Sequence, residues 1–252
     1  MRVAIKIAYD GRTYHGYARQ PNLKTIEGEI LQALIKHQII KDIETSNYRP
    51  ASRTDKGVSA LGNILAFDTD YNLNEILLKT GVITSSIIMY GIKKVEPNFN
   101  PRYAIQRIYR YYQLKEKLDI EKIQSASKLF IGSHDFSNYA RVEFHRNPKR
   151  TIDRIEITEK NDYLLIDFYA QTYLWHQIRR IVSALQKVGM EKISNKEIVD
   201  ALEKPNKKID FGLASPEPLI LMDVLYDFDF SIDTNLLKSR NKLEQQLYKS
   251  LM

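Results

Sequence analysis

Residues 150–158 and 163–170 alternate apolar and polar side chains on either side of Asn161-Asp162, and no other feature constrains the fold of this chain as strongly. A period of two buries one face of each segment, and the Asn-Asp connection turns the chain back antiparallel to itself. Arg2–Tyr9 alternates in the same way, with Val3, Ile5 and Ile7 on one side, until Asp10-Gly11 breaks it. Residues 105–114, IQRIYRYYQL, are rich in β-branched and aromatic side chains and read as a long strand. Strands are also expected around 45–52, 63–68, 86–95 and 219–226.

Helical spacing fills the intervals. Thr25 is placed to cap a helix whose stripe is Ile26, Ile30, Leu31, Leu34 and Ile35. Further helices are predicted over 73–80, 173–188 and 195–202, with a short one over 121–130 after the lysine-rich segment 115–124. The tail 233–251 is amphipathic and either packs or frays. This irregular order, with hairpin signals in both halves, predicts an α+β fold with a mostly antiparallel sheet and helices on its outer side. No low-complexity linker interrupts the chain, so two subdomains, 1–104 and 105–252, are expected to share one sheet.

Composition narrows the chemistry. The chain has no cysteine, which removes disulfides, thiolate nucleophiles and Cys-ligated metals. His15, His37, His134, His145 and His176 are scattered, without the i, i+4 spacing of a helical metal pair, so no metal is expected. No G-x-G-x-x-G or Walker loop supports a nucleotide cofactor. No apolar stretch reaches membrane-spanning length, and MRVAIKIAYD lacks signal character, so a cytoplasmic protein is expected. Lys and Arg number 38 against 31 Asp and Glu, a net charge of +7 that favours a polyanionic partner. Sixteen tyrosines add faces on which bases stack.

The segment 51–67, ASRTDKGVSALGNILAF, is the most informative. Alone, Arg53-Thr54-Asp55 before Lys56-Gly57 is a strand end entering a tight turn, where a solvated Asp is ordinary. Arg53-Thr54-Asp55, Gly57-Val58, Asn63 and Phe67 together resemble the G-R-T-D-x-G-V-H-A signature of the TruA family of pseudouridine synthases. Three more stretches match in order. Tyr9-Asp10-Gly11, Tyr14, Gly16 and Arg19-Gln20 resemble the family's opening Y-D-G-x-x-Y-x-G-W-Q-R-Q. Arg107-Ile108-Tyr109-Arg110-Tyr111 resembles its R-x-Y-x-Y strand, and YLWHQIRRIV at 173–182 its F-x-H-x-x-V-R-x-I-V helix start. Pro218-Leu219 resembles, more weakly, a late G-L.

The resemblance implies a cofactor-free tRNA pseudouridine synthase of two related subdomains about a basic RNA-binding cleft. Asp55 falls on the nucleophile, which attacks either the ribose or the base as the uracil N1–C1′ bond breaks. Arg179 falls on the arginine paired with that Asp, Tyr109 on the tyrosine against the target uracil, and Arg53 on the residue that holds the base extruded. Leu219 falls on the leucine covering the base edge; Tyr111 and Lys56 join the expected substrate contacts, Lys56 through phosphate. The family implies uridines 38 to 40 of the tRNA anticodon arm as substrate, and a homodimer. Taken singly these residues have plainer readings: Tyr109 and Tyr111 as sheet packing, Arg179-Arg180 as a solvated or phosphate-binding face, Leu219 as core. The sequence departs from the pattern at Ser52 (usually Gly), Lys56 (Ala), Ser59 (His), Tyr17 (Trp), Ala18 (Gln) and Arg180 (Asn). The rival reading is a non-catalytic RNA-binding protein or tRNA chaperone on the same fold.

Overall fold

Period-two burial, side-chain caps and left-handed turn residues set the element boundaries in the computed structural model, which describes residues 1–251. The chain begins with β1 (Arg2–Tyr9), α1 (Ile26–Lys36), β2 (Arg49–Pro50), β3 (Ser59–Asp68), α2 (Leu73–Thr80), β4 (Val82–Thr84) and β5 (Ile87–Val95). It continues through β6 (Gln106–Leu114), α3 (Ile120–Ser127), β7 (Gly132–Asp135), β8 (Lys149–Ile152), β9 (Arg154–Lys160) and β10 (Tyr163–Ala170). Last come α4 (Gln177–Gly189), α5 (Asn195–Glu203), β11 (Leu219–Leu225), β12 (Ser231–Ile232) and α6 (Thr234–Leu251). The fold is α+β, and none of its described helices is long and apolar enough to cross a membrane.

These elements form two compact units, one of residues 1–105 with the chain from Ile220 onward, the other of Gln106–Leu219. In the first, the strand order is β12-β5-β1-β3-β11. Neighbours run antiparallel except β11, which lies parallel to β3 through Ile220↔Ser59 and Leu221↔Ala60. Gly62 allows this close approach: a Cβ there would stand 2.7 Å from the Met222 carbonyl oxygen. The amphipathic tail packs, with Leu243 and Leu247 of α6 buried. The chain after 219 therefore belongs with the N-terminal strands rather than with 105–219. A single late strand carries no signal of its partner in its own sequence.

In the second unit β6, β10 and β9 are antiparallel neighbours. Tyr163 pairs with Lys160 around the Asn161-Asp162 connection, where Asn161 adopts a left-handed φ of 52° that asparagine tolerates better than most residues. Phe130, Phe136, Tyr139 and Phe168 fill the core of this unit. Gly189 of α4 lies against α3, where a Cβ would come within 2.6 Å of Ile123 Cδ1.

Several boundaries differ from the sequence reading, and the strand expected over 150–158 divides at Asp153 into β8, paired with β7, and β9, paired with β10. The strand expected at 45–52 shrinks to Arg49–Pro50, because Asp42 accepts from the Thr45 amide and hydroxyl and Ser46 donates to the Ile43 carbonyl, holding a run of turns. β3 starts at Ser59, since its first four residues are buried on both faces and show no alternation. The helix expected from 173 starts at Gln177: Arg141 and Trp175 form an antiparallel bridge, and His176 takes a left-handed φ of 65° before the first turn.

Candidate active-site residues

Asp55 sits in the loop between β2 and β3, half-buried, with Arg53 and Lys56 exposed on either side. The loop is held from below by groups that the motifs supply. Thr54, buried, shares a 2.9 Å hydrogen bond with the Tyr9 hydroxyl. Asn63, fully buried on β3, donates to the Ser52 carbonyl at 2.9 Å and to the Tyr9 hydroxyl at 3.3 Å. The Tyr17 amide donates to the Thr54 carbonyl, and the Val58 amide donates to Asp55's own carbonyl to close the turn at Gly57, whose φ is 86°. The opening Tyr-Asp-Gly segment thus serves as a bed for the Arg-Thr-Asp segment.

The substitution of Ser52 for the usual glycine fits this geometry, because Ser52 lies outside the left-handed region. Ser59, where the family has histidine, accepts from the Gly11 amide at 3.0 Å and ties the same two loops together.

In the second unit, Tyr109 and Tyr111 lie on one face of β6, opposite Phe168 and Ile166 of β10. Tyr109 is half-buried and meets the edge of Tyr173, with ring centroids 5.4 Å apart and planes at 88°. Tyr111 is buried, and burial pushes its hydroxyl up to about 12 against the opposing influence of Arg179 and a hydrogen bond with Gln186. Arg179 thus lies near enough to Tyr111 for its charge to act on that hydroxyl. Arg179 is fixed along α4 by its Nε donating to the Ala214 carbonyl at 2.8 Å, while the Ala214 amide returns to the Arg179 carbonyl. Arg180 pairs with Asp210 at 2.7 Å, and Ser183 donates to the Phe211 carbonyl, so the segment 210–214 is laced to this helix. Leu219 is buried at the start of β11.

Tyr173, Gln186 and the Arg110–Asp167 pair complete this surrounding, and sequence reasoning missed all three. Tyr173 takes the place of the phenylalanine that opens the helix motif, which is its one visible signal. Gln186 and Asp167 become neighbours of the motif only through strand register and helix phase.

Known proteins resemble this chain along its whole length. The family profile described as tRNA pseudouridine synthase matches residues 126–227. The tRNA pseudouridine synthase A of Pyrococcus furiosus is 43% identical over 94% of this chain and 89% of its own. That of Pyrococcus abyssi is 40% identical over 100% of this chain and 95% of its own, and that of Methanosphaera stadtmanae 36% over 100% and 93%. The chain belongs to the tRNA pseudouridine synthase A family. It is accordingly an isomerase that forms pseudouridine in tRNA. Tyr109, Tyr111, Arg53, Asp55 and Lys56 lie outside the matched span of the family profile, while Arg179 and Leu219 lie inside it. The Pyrococcus abyssi relative aligns over the whole chain, the span of all seven positions included.

Proposed function

We propose that this synthase modifies uridines 38 to 40 of the tRNA anticodon arm with Asp55 as nucleophile. The observation that carries the reading is the bracing of the Asp55 loop. Buried Tyr9, Thr54 and Asn63 fix its backbone, while the Asp55 side chain stays half-exposed between two cations. A nucleophile needs that combination of a rigid mount and an accessible carboxylate.

The bonds balance without an outside reagent. Asp55 adds to the ribose or to the base, the N1–C1′ bond breaks, and the uracil turns to present C5. The C5–C1′ bond forms, the bond to Asp55 breaks and returns the carboxylate, the C5 proton leaves and N1 takes up a proton, which is an isomerisation overall. Arg179 serves as the cation that favours the ionised carboxylate, its own backbone and Nε fixed through Ala214. Extruding the uracil from its stack costs about a few kcal/mol, and the Tyr109 face returns about 1–3 kcal/mol of that by stacking. Tyr173 at its edge keeps the Tyr109 ring in one orientation. Arg53 enters the vacated space, Lys56 contacts phosphate, Tyr111 supports Arg179 from the core, and Leu219 covers the base edge. The working form is a cytoplasmic homodimer, which light scattering on the purified protein tests.

Tritium release from [5-³H]uridine-labelled tRNA, measured in EDTA for wild type and Asp55→Asn, tests the chemistry. Release by wild type alone supports Asp55 as nucleophile, and mapping the modified sites tests positions 38 to 40. Undiminished release by Asp55→Asn removes Asp55 from the reaction. Tight tRNA binding by both proteins with no release from any tRNA supports the non-catalytic binder.

A further inference from the structure

The stretch 141–150, RVEFHRNPKR, joins the short 3-10 turn Ser137–Tyr139 to β8 and carries four cations against the single carboxylate of Glu143. Its first residue is fixed. The Arg141 amide donates to the Trp175 carbonyl at 2.8 Å, and the Arg141 guanidinium lies 4.2 Å from the centre of the Trp175 ring. With that cation in place Trp175 is still 44% exposed. Further along the loop Phe144 is 89% exposed, its ring 3.8 Å from that of His145. Arg146 pairs with Glu143 at 3.3 Å on the surface. Arg150 Nη1 donates to the backbone carbonyls of Asn147 and Lys149, and burial together with Arg146 pulls the Arg150 guanidinium below its ordinary value.

Exposed large aromatics mark a surface that binds something, and the charge around these chooses the partner. A protein interface core is depleted of lysine and carries few unpaired cations. An RNA with splayed nucleotides offers both phosphates for the cations and bases for the rings. Trp175 also stands two residues before α4, the helix that carries Arg179, so an RNA segment held there lies at the start of an element that carries a residue of the expected catalytic set.

We propose that Trp175, held by Arg141, and Phe144 stack unpaired bases of the tRNA substrate, with Arg146, Lys149 and Arg150 on its phosphates. The proposal rests on tRNA being the substrate, and it adds a positioning surface beside the residues assigned to the chemistry.

Trp175 is the only tryptophan of the chain, so its emission reports the contact directly. The experiment titrates Asp55→Asn protein with unmodified tRNA, exciting tryptophan selectively, beside a filter-binding titration and a heparin control. Quenching that follows tRNA occupancy, without quenching at saturating heparin, is the expected result. Phe144→Ala, whose parent side chain is too exposed to support the fold, is expected to weaken tRNA binding about 5- to 100-fold and to raise KM more than it lowers kcat. Lys149→Gln is expected to reduce the slope of log affinity against log salt by about 0.7–0.9. Emission unchanged at full tRNA occupancy, or quenched equally by heparin, overturns the proposal. Because the titration reads binding alone, quenching with no tritium release from wild type would remove the catalytic reading and leave this surface standing.

Discussion

Two glycines show how tightly the Asp55 loop is mounted. A Cβ on Gly11 would stand 2.0 Å from the Val58 carbonyl oxygen, a distance no rotamer change relieves because both partners are backbone. Gly16 combines a φ of +94° with a Cβ position 3.2 Å from the Lys56 amide nitrogen and 3.3 Å from the Thr54 carbonyl oxygen. Gly16→Ala is therefore expected to cost about 1–3 kcal/mol of stability through backbone strain. Its effect on activity should be larger than its effect on folding, since a shift of about 1 Å in a reacting group can cost about 100-fold. Gly11→Ala should be worse on both counts. Urea midpoints beside tritium-release rates measure the two effects, and a Gly16→Ala enzyme of full activity would show that Asp55 needs no such bed.

Between elements, the Arg110–Asp167 pair fixes the register of β6 against β10. Both guanidinium contacts are 2.7 Å, and the Asp167 side chain is only 9% exposed. Removing the cation alone leaves a buried carboxylate, so Arg110→Met is expected to cost about 3–5 kcal/mol, whereas Arg110→Met with Asp167→Leu should recover most of that loss. Urea denaturation of the single and double variants decides it; a double variant no more stable than Arg110→Met would assign the cost to packing of the arginine stem. The pair also marks where sequence reading stops. The hairpin β9–β10 was legible because Asn161-Asp162 and the flanking alternation are local, and α1 because Thr25 does accept from the Gly28 amide at its N-terminus. The start of β3 was not legible, because Ser59–Phe67 is buried throughout and no alternation marks it. The β7–β8 pair was not anticipated: four residues, Gly132–Asp135, are too few to show a period. The motif residues were legible from their order and spacing. Tyr173, Gln186 and Asp167 were not, because register and helix phase place them.

At the scale of the whole molecule, the tyrosines tie stability to alkaline pH. Tyr17 and Tyr48 share a 2.7 Å hydroxyl contact in one unit, and burial raises both above the ordinary tyrosine value. Burial does the same to Tyr90 in that unit, and to Tyr111, Tyr139 and Tyr173 in the other. Each raised group stays protonated in the folded chain at a pH where the unfolded chain has lost its proton. The unfolded state then binds fewer protons, so the contribution of these tyrosines to stability is constant below pH about 10 and declines as pH rises above it. Tyr111, displaced from the ordinary value of 10.0 to about 12, contributes about 2–3 kcal/mol of that decline across its window. Tyr111→Phe is thus expected to be somewhat less stable than wild type at pH 8, having lost the bond with Gln186, yet to lose less between pH about 10 and 12. The two urea-stability curves should cross between pH about 10 and 12, since a lost hydrogen bond is worth about 0.5–1.5 kcal/mol. Parallel curves over that range would mean that the Tyr111 hydroxyl ionises in the folded protein as readily as in the unfolded chain, and that the charge of Arg179 offsets its burial.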